Sequence, residues 1–541
     1  MARIEFRRQL AAVGVVFANP GLRDCQLALA LARIVDLAQL VAVSAYLYGQ
    51  GGAAPVAAYG VIRAVAAAVG VPVLTTGTGR FGHGGMLRIL GFVAAVATAG
   101  MALAMFAAGP VSVVLVLAGV GGLAIGAFRP ICSALMPSLV TTPEELVACN
   151  AATGLLDGAS TLVGPLLAGG LLGLLGPSWA VSVTALLLVA TGLLSGRLPV
   201  PAAMPPLGED TSLLDGVRTF VRTPQTRLLG VVGMLQTGVR GAMNVIIVAL
   251  ALDLLLVGEP GLGVLFAALG VGGLIGLPLT LGLVRRQSLY RSFGVGLILF
   301  GAPLALTGAV PVFAVALLMF AVVGIGNDFL DVSCYSAIPR AVPDHLLARI
   351  FGVLESAYQI GMALGAALAG VLLAAFDIRL SLVLVGLVLP LAALACARWF
   401  IRFDKALGTR DAEVDLLRGQ PLFAPLPMPV LDNLASRLAP TRFTAGEVIM
   451  TQGEEGDRYV LIVEGTVAIS KDSKHIASLG AGEAFGEIAL VRNTPRTATA
   501  VASTAIEART LDRAAFLAAL GCDPRARAAA ESVADVRQQR D

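Results

Sequence analysis

Two stretches decide the fold: MPSLVTTPEELVACNAATGLLDGASTLVGPLLAGG (136–170) and IPRAVPDHLLARIFGVLESAYQIGMALGAALAG (338–370). Each starts where a proline, Pro137 or Pro339, ends one apolar run. Each then passes a short polar turn and enters a second run rich in small residues. At an offset of about 201, Gly164 falls on Gly365 and Gly169 on Gly370. Small residues at helical spacing let membrane helices pack backbone to backbone. A unit repeated in parallel orientation predicts two helix bundles that rock about a site between them.

Outward from this pair, apolar runs of the length that crosses a bilayer, about 20 residues, fall near 27–48, 54–76, 86–107, 110–134, 147–173 and 177–196. Six more fall near 228–256, 260–283, 292–309, 311–336, 349–374 and 379–400. The longest loop, 197–227, separates six from six. The composition agrees: 57% of the 541 residues are hydrophobic and 13% charged, with mean hydropathy +0.86, against about 25% charged in a globular chain. Residues 403–541 hold 35 of the 73 charged residues, so the chain divides into a membrane part and a soluble part. The expected order is a lead-in (1–26), a six-helix bundle (27–196), a loop (197–227), a second bundle (228–402), a charged linker (403–420), a soluble domain (421–520) and a short tail (521–541).

Basic residues beside span ends set orientation, with the richer side cytoplasmic. Arg3, Arg7, Arg8, Arg88, Arg197, Arg222, Arg285, Arg286, Arg340, Arg398 and Arg402 all fall on one side. The opposite turns, such as YGQGG (48–52), AAGP (107–110) and LGPSW (175–179), are short and uncharged. Both termini and the soluble domain are therefore expected in the cytoplasm, with the spans in the plasma (inner) membrane. Neither part has the basic excess that nucleic-acid binding requires. Six scattered Cys (25, 132, 149, 334, 396, 522) and three distant His (83, 345, 475) make no metal site. No GxxxxGK[ST] phosphate loop occurs, and no enzyme motif.

Layout and repeat resemble the major facilitator superfamily of transporters. Its signature after the second span is Gly-x-x-x-Asp-Arg-x-Gly-Arg-Arg/Lys, and TTGTGRFGHG (75–84) stands there in this chain. Arg80 and Gly82 match, whereas Thr75, Gly79 and His83 depart from it. The family's Asp–Arg gate latch is thus not carried over.

Ionisable residues inside spans are costly, and each marks a functional candidate. They include Arg33, Asp36 and Arg63, then Arg129 and Asp157, then Arg240, Asp253, Asp328, Asp331 and Glu355. Arg33 and Asp36 lie one helical turn apart and suit a structural pair. Asp36, Asp157 and Glu355 are the proton-coupling candidates, with Arg129 and Arg240 as modulators or anion contacts. Asp328 and Asp331 share one helical face, where like charges repel unless protonated or paired. Polar residues are otherwise sparse, so a mostly apolar cavity for an amphiphilic solute is expected.

The soluble part begins with LFAPLPMPVLDNLASRL (422–438), one or two short helices. The strands VIM, YVLIV, TVAIS, HIASL, ATAVAS and IEARTL follow, separated by glycine turns, and Asp512 caps a closing helix. This predicts a small β-roll with flanking helices. GAGEAFGEIALVRNTPRTATA (480–500) resembles the phosphate-binding cassette of cyclic nucleotide-binding domains. The family pattern Phe-Gly-Glu-Leu/Ile-Ala-Leu, then Pro-Arg-x-Ala, stands here as Phe485, Gly486, Glu487, Ile488, Ala489 and Leu490, then Pro495, Arg496 and Ala498. Gly453, Gly456, Asp457, Tyr459 and Gly465 match its strand–turn–strand segment.

The resemblance implies that Arg496 and Thr497 meet a cyclic phosphate and that Glu487 accepts a ribose hydroxyl. It implies cAMP as regulatory ligand, with cGMP the alternative, and no cofactor. A guanidinium fork suits two phosphate oxygens. The reading that follows is a secondary transporter of a small solute, proton-coupled and regulated by cyclic nucleotide. The alternative is a membrane-anchored nucleotide sensor or scaffold. Solute, direction of transport and oligomeric state are not encoded legibly.

Overall fold

The computed structural model describes residues 14–540 apart from 15, 77, 141–142, 199–217, 219, 221, 285–288, 343 and 427. The side chains of Arg3, Arg7, Arg8, Arg80, Arg285 and Arg286, and most of the 197–227 loop, lie outside the described residues. The chain forms two compact units, Met1–Ile401 and Arg402–Asp541.

Among the described residues of the first unit and its outgoing helix, twelve helices are long and apolar enough to cross a membrane. They are α1 (Pro20–Gly51), α2 (Ala53–Gly70), α3 (His83–Phe106), α4 (Val111–Leu139), α5 (Ala152–Leu175), α6 (Pro177–Ser195), α7 (Pro224–Leu254), α8 (Gly258–Thr280), α9 (Leu289–Ala309), α10 (Phe313–Ile338), α11 (Ile350–Ala375) and α12 (Ile378–Lys405). Helix α1 starts at Pro20, inside the stretch expected to be a lead-in. Asn19 caps it, its Oδ1 accepting from the Gly21 and Leu22 amides, and a proline at the first helical position suits that start. The helix containing α12 runs on to Arg418, so the expected charged linker is helical. Helix α7 ends in a π-turn, Leu250–Leu254, which carries Asp253. The Tyr48 hydroxyl of α1 donates to Asp253 there.

The aligned glycines do matching work. A methyl group on Gly164 would fall 2.8 Å from the Ile34 carbonyl, so α5 lies directly on α1; one on Gly365 would strike the Gly238 carbonyl, so α11 lies directly on α7. Gly169 faces Gly263 of α8, and Gly370 faces Ala57 of α2. Further seams follow the same rule, with Gly60 of α2 against Ala366 of α11 and Gly173 of α5 against Pro260 of α8. Without side chains between them, backbones approach closely and dispersion replaces the hydrophobic drive that lipid cannot supply.

The second unit holds two four-stranded antiparallel sheets, β1-β8-β3-β6 and β2-β7-β4-β5. The strands are β1 (Ala439–Phe443), β2 (Val448–Met450), β3 (Arg458–Glu464), β4 (Val467–Lys471), β5 (Lys474–Leu479), β6 (Ala484–Phe485), β7 (Thr499–Ala502) and β8 (Ile506–Asp512). Strand β3 alternates as its pleat requires. Val460 and Ile462 enter the core shared with Phe443, Ile449, Val467 and Phe485. Tyr459 and Leu461 face a second core built with helices. Those helices are α13 (Met428–Ala435), α14 (Glu487–Arg492), α15 (Arg513–Cys522) and α16 (Pro524–Arg540).

Asp512 caps α15 as expected, accepting from the Ala515 amide at 2.8 Å. Phe423 packs edge-on against Tyr459 and Phe516 in the second core, and Val414 and Leu417, from the end of the long helix, are buried in it. The stretch expected to be a short tail is α16, whose Ala526, Ala530 and Ala534 are fully buried at helical spacing. Strands β1 and β6 were not anticipated. Each is completed by its partner, β1 by β8 and β6 by β3.

The α7–α11 seam has a direct consequence. Gly365→Leu is expected to force α11 off α7 and cost about 1–3 kcal/mol or more through overpacking. Thermal unfolding of the full chain in detergent should show the loss, with Gly352→Leu, at an open position, close to wild type.

Candidate functional sites

The first unit encloses a cavity of about 960 Å3 lined by α1, α2, α4, α5, α7, α8, α10 and α11. Of the ten ionisable span residues named in the sequence, the eight given a transport role line it: Arg33, Asp36, Arg129, Asp157, Arg240, Asp328, Asp331 and Glu355. Arg63 makes a ninth ionisable group: the lining is mostly apolar, as expected, but not charge-poor. The spans are apolar in sequence, but nine of the ten ionisable residues named in them turn into the cavity, because a charge facing lipid has no partner.

The charges are unequally satisfied. Asp36 is held twice, by Arg33 Nη1 at 3.2 Å on its own helix and by Arg63 from α2. Arg63 also donates to the Tyr59 hydroxyl at 3.2 Å and sits 5.4 Å from that ring's centre. Arg129 pairs with Asp157 at 3.4 Å. Among the described residues no cation forms an ion pair with Asp328, Asp331 or Glu355, and no carboxylate forms one with Arg240. Asp331 accepts from Asn327 at 3.0 Å and Glu355 from Gln359 at 3.1 Å. Asp328 Oδ2 is buried without a hydrogen-bond partner, packed where Gly276 leaves space for it. Asp253 lies outside the cavity lining. The sequence reading named Arg63 among the ionisable span residues without giving it a role, and did not name Tyr59.

In the second unit the 480–500 stretch folds into β6, a glycine turn and α14. Gly486 takes a left-handed conformation, φ 95°, at the start of α14. A methyl group there would lie 2.8 Å from Arg496 Nη1 and 3.0 Å from the Arg458 carbonyl, so only glycine fits this crossing. Arg496 is 5% exposed. Its Nη1 donates to the Gly486 carbonyl at 2.9 Å, and its Nη2 donates to the Arg458 carbonyl at 2.8 Å and to Asp457 at 3.0 Å. Its backbone is fixed too, accepting from the Gly453 amide and donating to the Glu454 carbonyl. Burial lowers the guanidinium's pKa, with Asp457 opposing. Although its burial acts the other way, Asp457 is held below the usual carboxylate range by Arg458 and Arg496.

Glu487 is 1% exposed. Its Oε1 pairs with Arg537 of α16 at 2.8 Å, and Arg537 also donates to the Ala484 carbonyl at 2.7 Å. Arg492 of α14 pairs with Asp535 of α16. The other oxygen, Glu487 Oε2, is buried with no partner, an unusual state for a carboxylate oxygen. Burial raises the Glu487 pKa against the pull of Arg537. Of the other residues in the expected site, Phe485 and Ala489 are buried, Phe485 in the core between the sheets, while Ile488, Thr497 and Ala498 are half-buried. The sequence reading missed Arg537. Its signal was the alanine spacing that makes α16 a packed helix.

Comparison with known proteins fits this division. Residues 229–447 match the Major Facilitator Superfamily, and residues 440–521 match the Cyclic nucleotide-binding domain. The chain therefore carries a Major Facilitator Superfamily domain (229–447) fused to a C-terminal cyclic nucleotide-binding domain (440–521). Neither matched family is catalytic. A curated relative, a cAMP-dependent protein kinase regulatory subunit of Yarrowia lipolytica, is 38% identical over 95 residues, 18% of this chain and 25% of the relative. The chain thus spans about a quarter of that relative's length. Two solved structures are similar over about a fifth to a quarter of the chain. One is a mutant regulatory subunit of a cAMP-independent protein kinase A from Trypanosoma brucei, bound to cAMP (30% identity, 22% of this chain, 45% of that chain, TM-score 0.20). The other is the regulatory domain of Toxoplasma gondii PKA with cAMP (23% identity, 25% and 52%, TM-score 0.23). At these scores neither likeness extends to the whole chain.

Arg537→Ala would strand a buried carboxylate, and a cost of about 1–3 kcal/mol is expected. Since burial places the Glu487 pKa above the ordinary carboxylate value, the variant's penalty should be largest at neutral pH. It should shrink as falling pH protonates Glu487, as read by thermal unfolding of wild type and variant in parallel.

Proposed function

We propose that this protein is a secondary active transporter of a small solute, working by alternating access and coupled to protons, whose activity is regulated by cAMP bound in its C-terminal domain. The observation that carries the reading is the cavity. One chamber, lined by spans from both six-helix halves, gathers every span charge singled out in the sequence as a transport candidate. The glycine contacts of α5 with α1 and α8 reappear as those of α11 with α7 and α2. That correspondence supports two halves related by a pseudo-two-fold axis, the arrangement that alternating access uses.

The seams Gly60–Ala366, Gly173–Pro260 and the Tyr48–Asp253 bond close the ends carrying the short, arginine-poor turns. With the arginine-rich side cytoplasmic, this is the inward-facing state, both termini and the β-roll domain are cytoplasmic, and the spans lie in the plasma membrane. Asp36 and Asp157, the coupling candidates of the sequence reading, are each paired with arginine, which favours a carboxylate without such a partner. Asp328, buried without a partner, takes the coupling role, because a bound proton removes the cost of its uncompensated charge. Replacing Asp328 by Asn, which mimics the protonated form, is expected to leave solute exchange intact while abolishing its acceleration by a pH gradient. Proteoliposome flux with and without the gradient checks this, and gradient-driven flux unchanged in the variant would refute the role of Asp328.

For the regulatory site, the family match at 440–521, the cAMP named for the Yarrowia relative, and an intact Gly486–Glu487–Arg496 set support a cyclic nucleotide. Arg496 and Thr497 meet its phosphate, while Glu487 Oε2 accepts the ribose 2′-hydroxyl and so gains the partner it lacks. Ile488, Ala498 and the backbone at Gly486 complete the pocket. cAMP is the first ligand and cGMP the alternative. The helix that leaves the last span is continuous to Arg418 and buries Val414 and Leu417 in the domain core, which supports it as the mechanical link. Calorimetry on the full chain should show saturable cAMP binding, weakened about 100-fold by Arg496→Ala, on the order of 3 kcal/mol. Equal binding by the variant would overturn the site.

A further inference from the structure

The unsatisfied groups of the cavity fall into two sets of opposite character. On α7, Gln236 and Arg240 lie one turn apart and both line the chamber. Gln236 is 6% exposed, yet its Nε2 donor has no partner, and Arg240 forms no ion pair or hydrogen bond among the described residues. On α10 and α11, Asp331 and Glu355 line the same chamber and have only amide partners. The remaining arginines of the cavity each hold a carboxylate already. Ser44, 1% exposed and with an unpaired hydroxyl, adds a polar contact on α1. A buried donor in a folded protein is almost always paired; Gln236 Nε2 is not, and with Arg240 beside it and the carboxylates of Asp331 and Glu355 open to the same chamber the lining suits a ligand carrying both signs of charge.

We infer that the transported solute is amphoteric, carrying a carboxylate that meets Arg240 and Gln236 on α7 and an amine that meets Asp331 on α10 and Glu355 on α11. A simple organic cation leaves the guanidinium and the amide donor unmet, and a simple anion is repelled by the two carboxylates. At about 960 Å3 the chamber accommodates a molecule of small-peptide size. The inference rests on the transporter reading above and deepens it.

A matched set of probes separates the charges: leucyl-leucine, its C-terminal amide (cation only) and its N-acetyl derivative (anion only). Binding is read as the ligand-induced rise in unfolding temperature of the full chain in lipid nanodiscs. Leucyl-leucine is expected to bind at least about tenfold more tightly than either derivative. Arg240→Gln should abolish its advantage over the amide, and Glu355→Gln its advantage over the N-acetyl derivative. Equal or tighter binding of either derivative, or no shift with any of the three, would overturn the inference. Counterflow in proteoliposomes with the dipeptide and with tetraphenylphosphonium separates this from the transporter reading. Tetraphenylphosphonium flux without dipeptide binding would sink the amphoteric solute and leave transport standing. Dipeptide binding without flux of either would leave the site standing and sink transport.

Discussion

A carboxylate removed from water must find a cation, a hydrogen-bond donor or a proton, and this requirement shapes both halves of the protein. In the membrane unit it gathers the span charges into one chamber and clamps Asp36 between Arg33 and Arg63. In the soluble unit it ties Glu487 to Arg537 and so fastens α16 against α14. Where it is left unmet, function is found. Asp328 Oδ2 and Glu487 Oε2 are both buried without partners, one read as a proton site and the other as a hydroxyl acceptor. On the proposed reading the two sites use one device, a carboxylate oxygen left unsatisfied until the ligand or proton arrives. Such a group is costly in the empty state, and its cost becomes the differential free energy through which binding can bias a conformational equilibrium.

Backbone contact is the second constraint. Lipid gives no hydrophobic reason for helices to associate, so the spans meet where glycine permits it. The same positions in the two repeats, Gly164 with Gly365 and Gly169 with Gly370, make the corresponding contacts. Seams of this kind hold without interlocking side chains, which suits surfaces that must part and close again during transport.

Much of this was legible in the sequence. Twelve spans follow from apolar run length, and the glycine correspondence is visible in the two aligned stretches themselves. The cassette was legible because Gly486 and Arg496 answer to a local geometry that few residues satisfy. What escaped depends on contacts distant in sequence. Arg63 and Asp36 lie on different spans, and nothing local says that they meet. Arg537 looked like part of a tail because α16 shows only alanines on its buried face, a weak apolar signal. Strand β6 is two residues long and exists only through β3. The cavity's charge was misjudged for a related reason: composition averages over a span, whereas the folded protein turns the few charged faces toward one another.

The central claim is that a cyclic nucleotide at Arg496 shifts the equilibrium of the membrane unit. It is tested most directly by spin labels at the cytoplasmic ends of α4 and α10, with distance distributions recorded in nanodiscs with and without cAMP. The account expects cAMP to redistribute the population between a short and a long separation, and expects Arg496→Ala to abolish that response. Superimposable distributions with saturating cAMP bound to the wild-type protein would contradict it.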